Sequence, residues 1–255
     1  MGRKRYIDVN KPSVFLNPFK PKNGLQEHYI STMQESTITF GLGPAGTGKT
    51  YLAVYIALEA LLNKEVERVV LTRPIVATED IGFLPGDMHE KINPYIRPLF
   101  DAIEDHVGQT KAKELLALGS IEVVPLAFMR GRSLNRAFIV LDEAQNTTPE
   151  QMKMFLTRIG YDSKMVINGD KTQCDLNPRD VPVNGLAWAS DRLTGKSEQI
   201  SVVEFSSRHI VRNPLIEDML QHLETPPARE ERPRRRYSEA GGALPATGGV
   251  LLTAA

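Results

Sequence analysis

Residues 43–50, Gly-Pro-Ala-Gly-Thr-Gly-Lys-Thr, spell a complete G-x-x-x-x-G-K-T loop. No other stretch constrains the chain as strongly, because this octet works only where a strand enters it and a helix leaves it. Its glycines let backbone N–H groups turn inward around phosphate oxygens, where side chains would collide. A helix that begins near Lys49 aims its positive end at the same anions. Both flanks fit, since an apolar run (37–41) precedes the loop and an Ala- and Leu-rich stretch (49–62) follows it. The loop therefore predicts a P-loop α/β fold in which Gly43, Pro44, Ala45, Gly46, Thr47, Gly48, Lys49, Thr50 and Tyr51 surround the phosphates of ATP. Lys49 is expected at the β and γ phosphates, and the Thr50 hydroxyl on Mg²⁺.

A second segment carries the complementary chemistry. Phe138-Ile139-Val140-Leu141 reads as a strand buried on both faces, and Asp142-Glu143 follows where it leaves the sheet. Ligands of open α/β sheets bind at the carboxyl ends of strands. Asp142 is thus expected to hold Mg²⁺, usually through water, and Glu143 to polarise a water for in-line attack on the γ phosphate. A water-activating carboxylate beside the metal acid argues for a hydrolase over a small-molecule kinase, which must exclude water. A third segment, Gly169-Asp170-Lys171-Thr172-Gln173, again follows an apolar run. Gln173 there can hydrogen-bond both the γ phosphate and the attacking water.

The rest of the chain is consistent with one such domain. It has 255 residues, enough for one sizeable α/β core and short for two. Strands are expected at 37–41, 68–72, 121–124, 138–141, 165–168 and 201–205. They alternate with helical patterns at 49–62, in parts of 87–107, and at 111–118, 149–159, 186–193 and 214–223, which implies a mainly parallel central sheet flanked by helices. Thr148, Pro149 and Glu150 form a strong helix start. Residues 1–23 read as an irregular arm interrupted by Pro12, Pro18 and Pro21, 24–224 as the ATPase domain, and 225–255 as a disordered tail, Arg-rich and then Gly/Ala-rich. The tail contains Leu244-Pro245-Ala246-Thr247-Gly248, a match to the sortase signal LPxTG. No secretory signal and no apolar span accompany it, so it is read as a chance match or a tag.

Lys plus Arg (31) equals Asp plus Glu (31), so any nucleic-acid binding must come from a local patch. The single cysteine, Cys174, excludes an internal disulfide and fits a reducing cytoplasm. No run approaches the roughly 20 apolar residues of a membrane span.

Taken together, several segments resemble the PhoH family. They are the phosphate loop, Leu71-Thr72-Arg73-Pro74, Gly82-Phe83-Leu84-Pro85-Gly86-Asp87, and Pro125 through Arg132. Leu141 through Thr148 and Gln151 through Arg158 complete the set. The resemblance runs in order from about Pro18 to Glu224. It implies a cytoplasmic ATPase with a RecA-like core related to superfamily 1 helicases, a tendency to form ring oligomers (a hexamer among the options), and a link to RNA metabolism. It also implies that Gln26, upstream of the loop, reads adenine. Arg212, in Val211-Arg212-Asn213-Pro214-Leu215, would stabilise charge on the γ phosphate in its own subunit or a neighbour's; Asn213 departs from the family's usual His.

Two purposes stay open at this point. One is an oligomeric ATPase acting on single-stranded RNA. The other is a nucleotide-gated switch that binds a protein partner, turns over slowly and has no nucleic-acid role. Arg73, Arg130, Arg132 and Arg136 could meet phosphates, or could meet acids on neighbouring loops.

Overall fold

The computed structural model describes residues 16–76, 88–211, 215 and 219. The chain divides into two units, Met1–Arg212 and Asn213–Ala255. Of the second, only Leu215 and Met219 are described, both helical. The expected tail, its sortase-like match and most of the 214–223 helix lie outside the described residues.

Six strands form one sheet: β1 (Ile38–Leu42), β2 (Arg68–Arg73), β3 (Ile121–Pro125), β4 (Ala137–Leu141), β5 (Lys164–Gly169) and β6 (Ile200–Glu204). Their order is β3-β2-β4-β5-β1-β6, and every pairing is parallel. Each expected strand is present, with its ends displaced by one residue at most. Parallel strands need long crossovers, and helices supply them here: α1 (Gly24–Glu35), α2 (Lys49–Leu62), α3 (Met88–Val107), α4 (Gln109–Ala117), α5 (Pro149–Leu156) and α6 (Gly185–Leu193).

The period-2 geometry of a strand sorts its side chains between two cores. Phe138 and Val140 of β4 pack with α1 to α4 on one face. Ile139 and Leu141 pack with α5 and α6 on the other. Apolar residues are needed on both faces because every residue of β4 is buried.

Helix α5 starts as the sequence predicts. The Thr148 hydroxyl accepts from Gln151 N at 3.2 Å, and Gln151 Oε1 accepts from Thr148 N at 2.9 Å, which closes a capping box. It ends at Leu156, three residues short of the expected 159. Helix α3 is continuous, although Pro94 and Pro98 lie inside it.

Helix α1 is absent from the expected elements. Its first residues, 24–28, carry a glycine and three polar residues, Gln26, Glu27 and His28, around a single leucine, which hides the helical period. Asn23 caps it, with Oδ1 accepting from Gln26 N at 3.0 Å. Residues 16–23 carry no helix or strand and dock on the domain. Leu16 is buried, Asn17 N donates to His106 O at 2.7 Å, and Phe19 packs against the rings of Tyr51 and Tyr55.

Helix α2 runs through the core and buries every residue from Leu52 to Ala60. Glu59 lies in that run at 4% exposure, with Oε2 lacking a partner. Burial, aided by the charge of Glu65, pushes its carboxyl up to about 7. The folded form therefore keeps a proton that the unfolded chain releases near its ordinary 4.5. Stability from this group is full below that value and is lost as pH rises toward about 7. Glu59→Gln is expected to raise the urea midpoint in mildly alkaline buffer and to leave it nearly unchanged in acid below the ordinary carboxylate range. An equal gap at both pH values would overturn this assignment.

Candidate functional site

The sheet order explains why motifs about a hundred residues apart converge. Strands β4, β5 and β1 are adjacent, so their carboxyl ends form one edge. The phosphate loop leaves β1, Asp142-Glu143 leaves β4, and Gly169-Asp170 ends β5. Register pairs Leu42 with Gly169, and Gly43 N donates to Gly169 O at 3.0 Å. The loop is held from the other side as well, by Phe205 N on Leu42 O at 2.7 Å and Val211 N on Gly46 O at 2.8 Å.

A cavity of about 280 Å³ opens at this edge. Gly43, Ala45, Gly46, Gly48, Lys49, Thr50 and Tyr51 line it from the loop and α2, and Asp142, Glu143 and Gln173 face them. Pro44 and Thr47 of the same loop are not among the lining residues. Lys49 Nζ donates to Gly43 O at 2.6 Å and to Pro44 O at 2.8 Å, and the Thr47 hydroxyl donates to Pro44 O at 3.2 Å. Gly48 caps α2 in the left-handed region at φ +86°, a conformation glycine adopts without cost. Arg212 lies outside the described residues.

The charges in the cavity are poised for an anion and a cation together. Burial lowers the pKa of the Lys49 ammonium, offset in part by Asp142, Asp170 and Glu143. Burial raises that of Asp142, and the Glu143 charge adds to the rise; the Thr50 hydroxyl and Arg73 counter it. A desolvated ammonium and a desolvated carboxyl both gain when opposite charge enters. Thr50 Oγ1 donates to Asp142 Oδ1 at 2.5 Å, which brings two hard oxygen ligands together. Among the described residues no three His, Cys, Asp or Glu side chains group to hold a metal. Thr50 and Asp142 fit Mg²⁺, which commonly takes one or two protein oxygens and completes its shell with phosphate and water.

Glu143 sits at φ +51°, ψ +41°, left-handed for a non-glycine residue. That strain costs about 1–3 kcal/mol and is typical of functional turns. Gln145, buried behind it, donates from Nε2 to Glu143 Oε2 and accepts from Asp170 N at 3.1 Å. The loop after β5 is strapped to the same turn by Asn146 Nδ2 on Asp175 Oδ2 at 2.8 Å, and by the Cys174 thiol on Gln145 O at 3.2 Å. Cys174 is half-buried, and its thiol is hydrogen-bonded. Gln173 itself is exposed.

A second cavity, about 480 Å³, shares Gly46, Gly48 and Tyr51 with the first. Phe19, Gln26 and Val211 also line it. Gln26 is buried. Its Nε2 donates to Thr47 O at 3.0 Å, and its Oε1 accepts from Lys22 N at 2.8 Å. One donor and one acceptor of its amide remain unspent. The Tyr51 ring rests on His106, with centroids 4.0 Å apart, and His106 Nε2 is 2.9 Å from Tyr51 O. A ring nitrogen facing a carbonyl must carry the proton, so Nδ1 is the bare nitrogen; burial lowers the pKa of this imidazole. Sequence reasoning misses Phe19 and His106 because neither belongs to a motif. Only proximity in the fold reveals them.

The arginines divide. Arg132 forms a two-pronged pair with Glu122 at 2.7 and 2.6 Å, Arg136 meets Glu67 at 2.6 Å, and Arg73 meets Glu143 at 3.3 Å. Arg130 is exposed, as is Phe128, two residues before it in sequence, at 57% exposure.

A Cβ on Gly43 would lie 2.2 Å from the backbone oxygen of Phe205, at φ +127°. Because the obstacle is backbone, β6 would have to move. Gly43→Ala is expected to destabilise the fold by about 2 kcal/mol or more in urea titration and to weaken nucleotide binding. Unchanged stability would mean that the loop can tilt away from β6.

Among known proteins, the PhoH-like protein family matches residues 18–224. The chain is 51% identical over 197 residues to the PhoH-like protein of Bacillus subtilis (strain 168), covering 77% of this chain and 61% of that protein. It is 41% identical over 223 residues to Protein PhoH of Escherichia coli (strain K12), covering 86% and 62%. The chain thus spans about three-fifths of the length of these curated relatives. In fold it is similar to the large terminase from a thermophilic bacteriophage, with a TM-score of 0.50 at 11% identity, over 79% of this chain and 50% of that one. With its P-loop, its acids after β4 and the match across nearly all of the described domain, this chain belongs to the PhoH family.

Proposed function

We propose that this chain is a Mg²⁺-dependent ATPase that works as an oligomer in the cytoplasm and acts on single-stranded RNA. One observation carries the reading: Lys49, the Thr50–Asp142 pair, Glu143 and Gln173 all face one cavity at the carboxyl edge of a parallel sheet.

In this reading the triphosphate lies along the loop, and Lys49 turns from the Gly43 and Pro44 carbonyls to the β and γ phosphates. Mg²⁺ on Thr50 and Asp142 supplies charge neutralisation on the phosphate oxygens. Glu143 accepts a proton from water as the water oxygen attacks the γ phosphorus, and the bridging oxygen leaves with ADP. Gln173 hydrogen-bonds the attacking water and the γ phosphate. Gln26 offers its unspent donor and acceptor to the adenine edge, and Phe19 and Tyr51 give the base an apolar wall.

In an oligomer, Arg212 would act on the γ phosphate in its own site or across to the next subunit. Phe128 and Arg130 favour RNA as the object. An exposed aromatic ring and an exposed cation two residues apart in sequence suit a stacked base and a phosphate.

Phosphate release from Mg-ATP, with and without single-stranded RNA, tests the proposal. Glu143→Gln is expected to lower turnover by about a hundredfold or more while retaining ATP binding, and RNA to speed the wild type several-fold. Turnover indifferent to RNA would shift the reading to a nucleotide-gated switch with a protein partner. A Glu143→Gln variant as fast as wild type would remove Glu143 as the base.

A further inference from the structure

Arg73 ends β2, the strand beside β4. Register pairs Thr72 with Leu141, and Asp142 N donates to Thr72 O at 2.9 Å, which extends the ladder past the strand end. Continuing the register past the strand ends sets Arg73 opposite Asp142, one residue before Glu143. Arg73 Nη2 lies 3.3 Å from Glu143 Oε1, while its Nη1 donates to the Tyr95 carbonyl of α3 at 3.4 Å. Two rigid elements thus fix the guanidinium, and the guanidinium fixes one carboxylate oxygen. In this paired conformation Glu143 faces the nucleotide cavity. Both side chains keep partial solvent contact, at 24% and 36% exposure. A pair so exposed adds little to the stability of the fold, which leaves its effect on the direction of Glu143 as the larger consequence.

We propose that Arg73 is a positioning residue for ATP hydrolysis, holding the Glu143 carboxylate toward the cavity through this ion pair; the inference rests on Glu143 acting as the base. An unheld glutamate must freeze three side-chain torsions as water attacks. Here Arg73 and Gln145 fix them in advance, so the cost does not fall on the chemical step. Lysine at position 73 supplies charge without the planar fork, and cannot serve Glu143 and the Tyr95 carbonyl together in the same geometry.

The test compares Arg73→Ala, Arg73→Lys and Glu143→Gln in steady-state phosphate release, with a thermal melt of each variant. Arg73→Ala is expected to lower kcat about tenfold with KM for Mg-ATP changed less than about twofold and an unshifted melt. Arg73→Lys should recover part of the loss. In single-turnover hydrolysis, adding Arg73→Ala to Glu143→Gln should cause no further loss, because the carboxylate it acts on is gone. A wild-type or faster kcat in Arg73→Ala, a loss confined to KM, or a further loss in the double variant would overturn the inference. Should the alanine variant fail to fold, Arg73→Lys and Arg73→Gln carry the same comparison of kcat with KM. A slow Glu143→Gln beside a wild-type-like Arg73→Ala would overturn the role of Arg73 alone. A fast Glu143→Gln would remove the base assignment itself, and this inference with it.

Discussion

The contact between Thr50 Oγ1 and Asp142 Oδ1, 2.5 Å long, joins the two halves of the site. Thr50 stands in the first turn of α2, and Asp142 one residue past β4. Their distance depends on how far the sheet carries β4, on where α2 packs against it, and on the left-handed turn at Gly48 that starts the helix. A slip of one residue in β4 would turn Leu141 from its core and carry Asp142 out of reach. The apolar alternation of Phe138 to Leu141 between the two cores is what prevents that slip.

The same packing sets the electrostatics. Because β4 is buried on both faces, its exit begins inside the protein, and Asp142 inherits that desolvation. Lys49 inherits it from the loop that folds over it. The two groups sit near each other with opposite formal charge, yet each keeps other partners: the loop carbonyls for Lys49, the Thr50 hydroxyl for Asp142. An arrangement of this kind is electrostatically incomplete on its own and favours a ligand that carries both signs, as a metal–phosphate complex does.

Glu143 differs from its neighbour. It is half-exposed, strained in its backbone, and gripped through both carboxylate oxygens by residues from separate strands and turns. Gln145 extends the grip to Asp170 and so to the segment that carries Gln173. The acid turn and the loop after β5 form one hydrogen-bonded body, cross-linked again at Asn146 and Cys174.

Much of this was legible beforehand, for a physical reason. Strands buried on both faces read as unbroken apolar runs, and a phosphate loop tolerates few residue types, so β1 to β6, the loop and the acids after β4 announce themselves locally. Helix α1 does not, because its polar start masks its period, and the prolines in α3 suggest breaks that the helix does not make. The fate of the arginines was not legible either. Arg132 and Arg136 are bound to Glu122 and Glu67, acids 10 and 69 residues away in sequence, and Arg73 to a glutamate in the turn after the neighbouring strand. Phe19 likewise lines the second cavity only because the arm docks on α2 and α3. The sequence by itself determined which chemistry the chain carries, since motif residues must supply particular atoms at fixed local spacing. Tertiary structure alone decided which charges are paired and which side chains wall the site, because those depend on partners that only folding brings within a few ångströms.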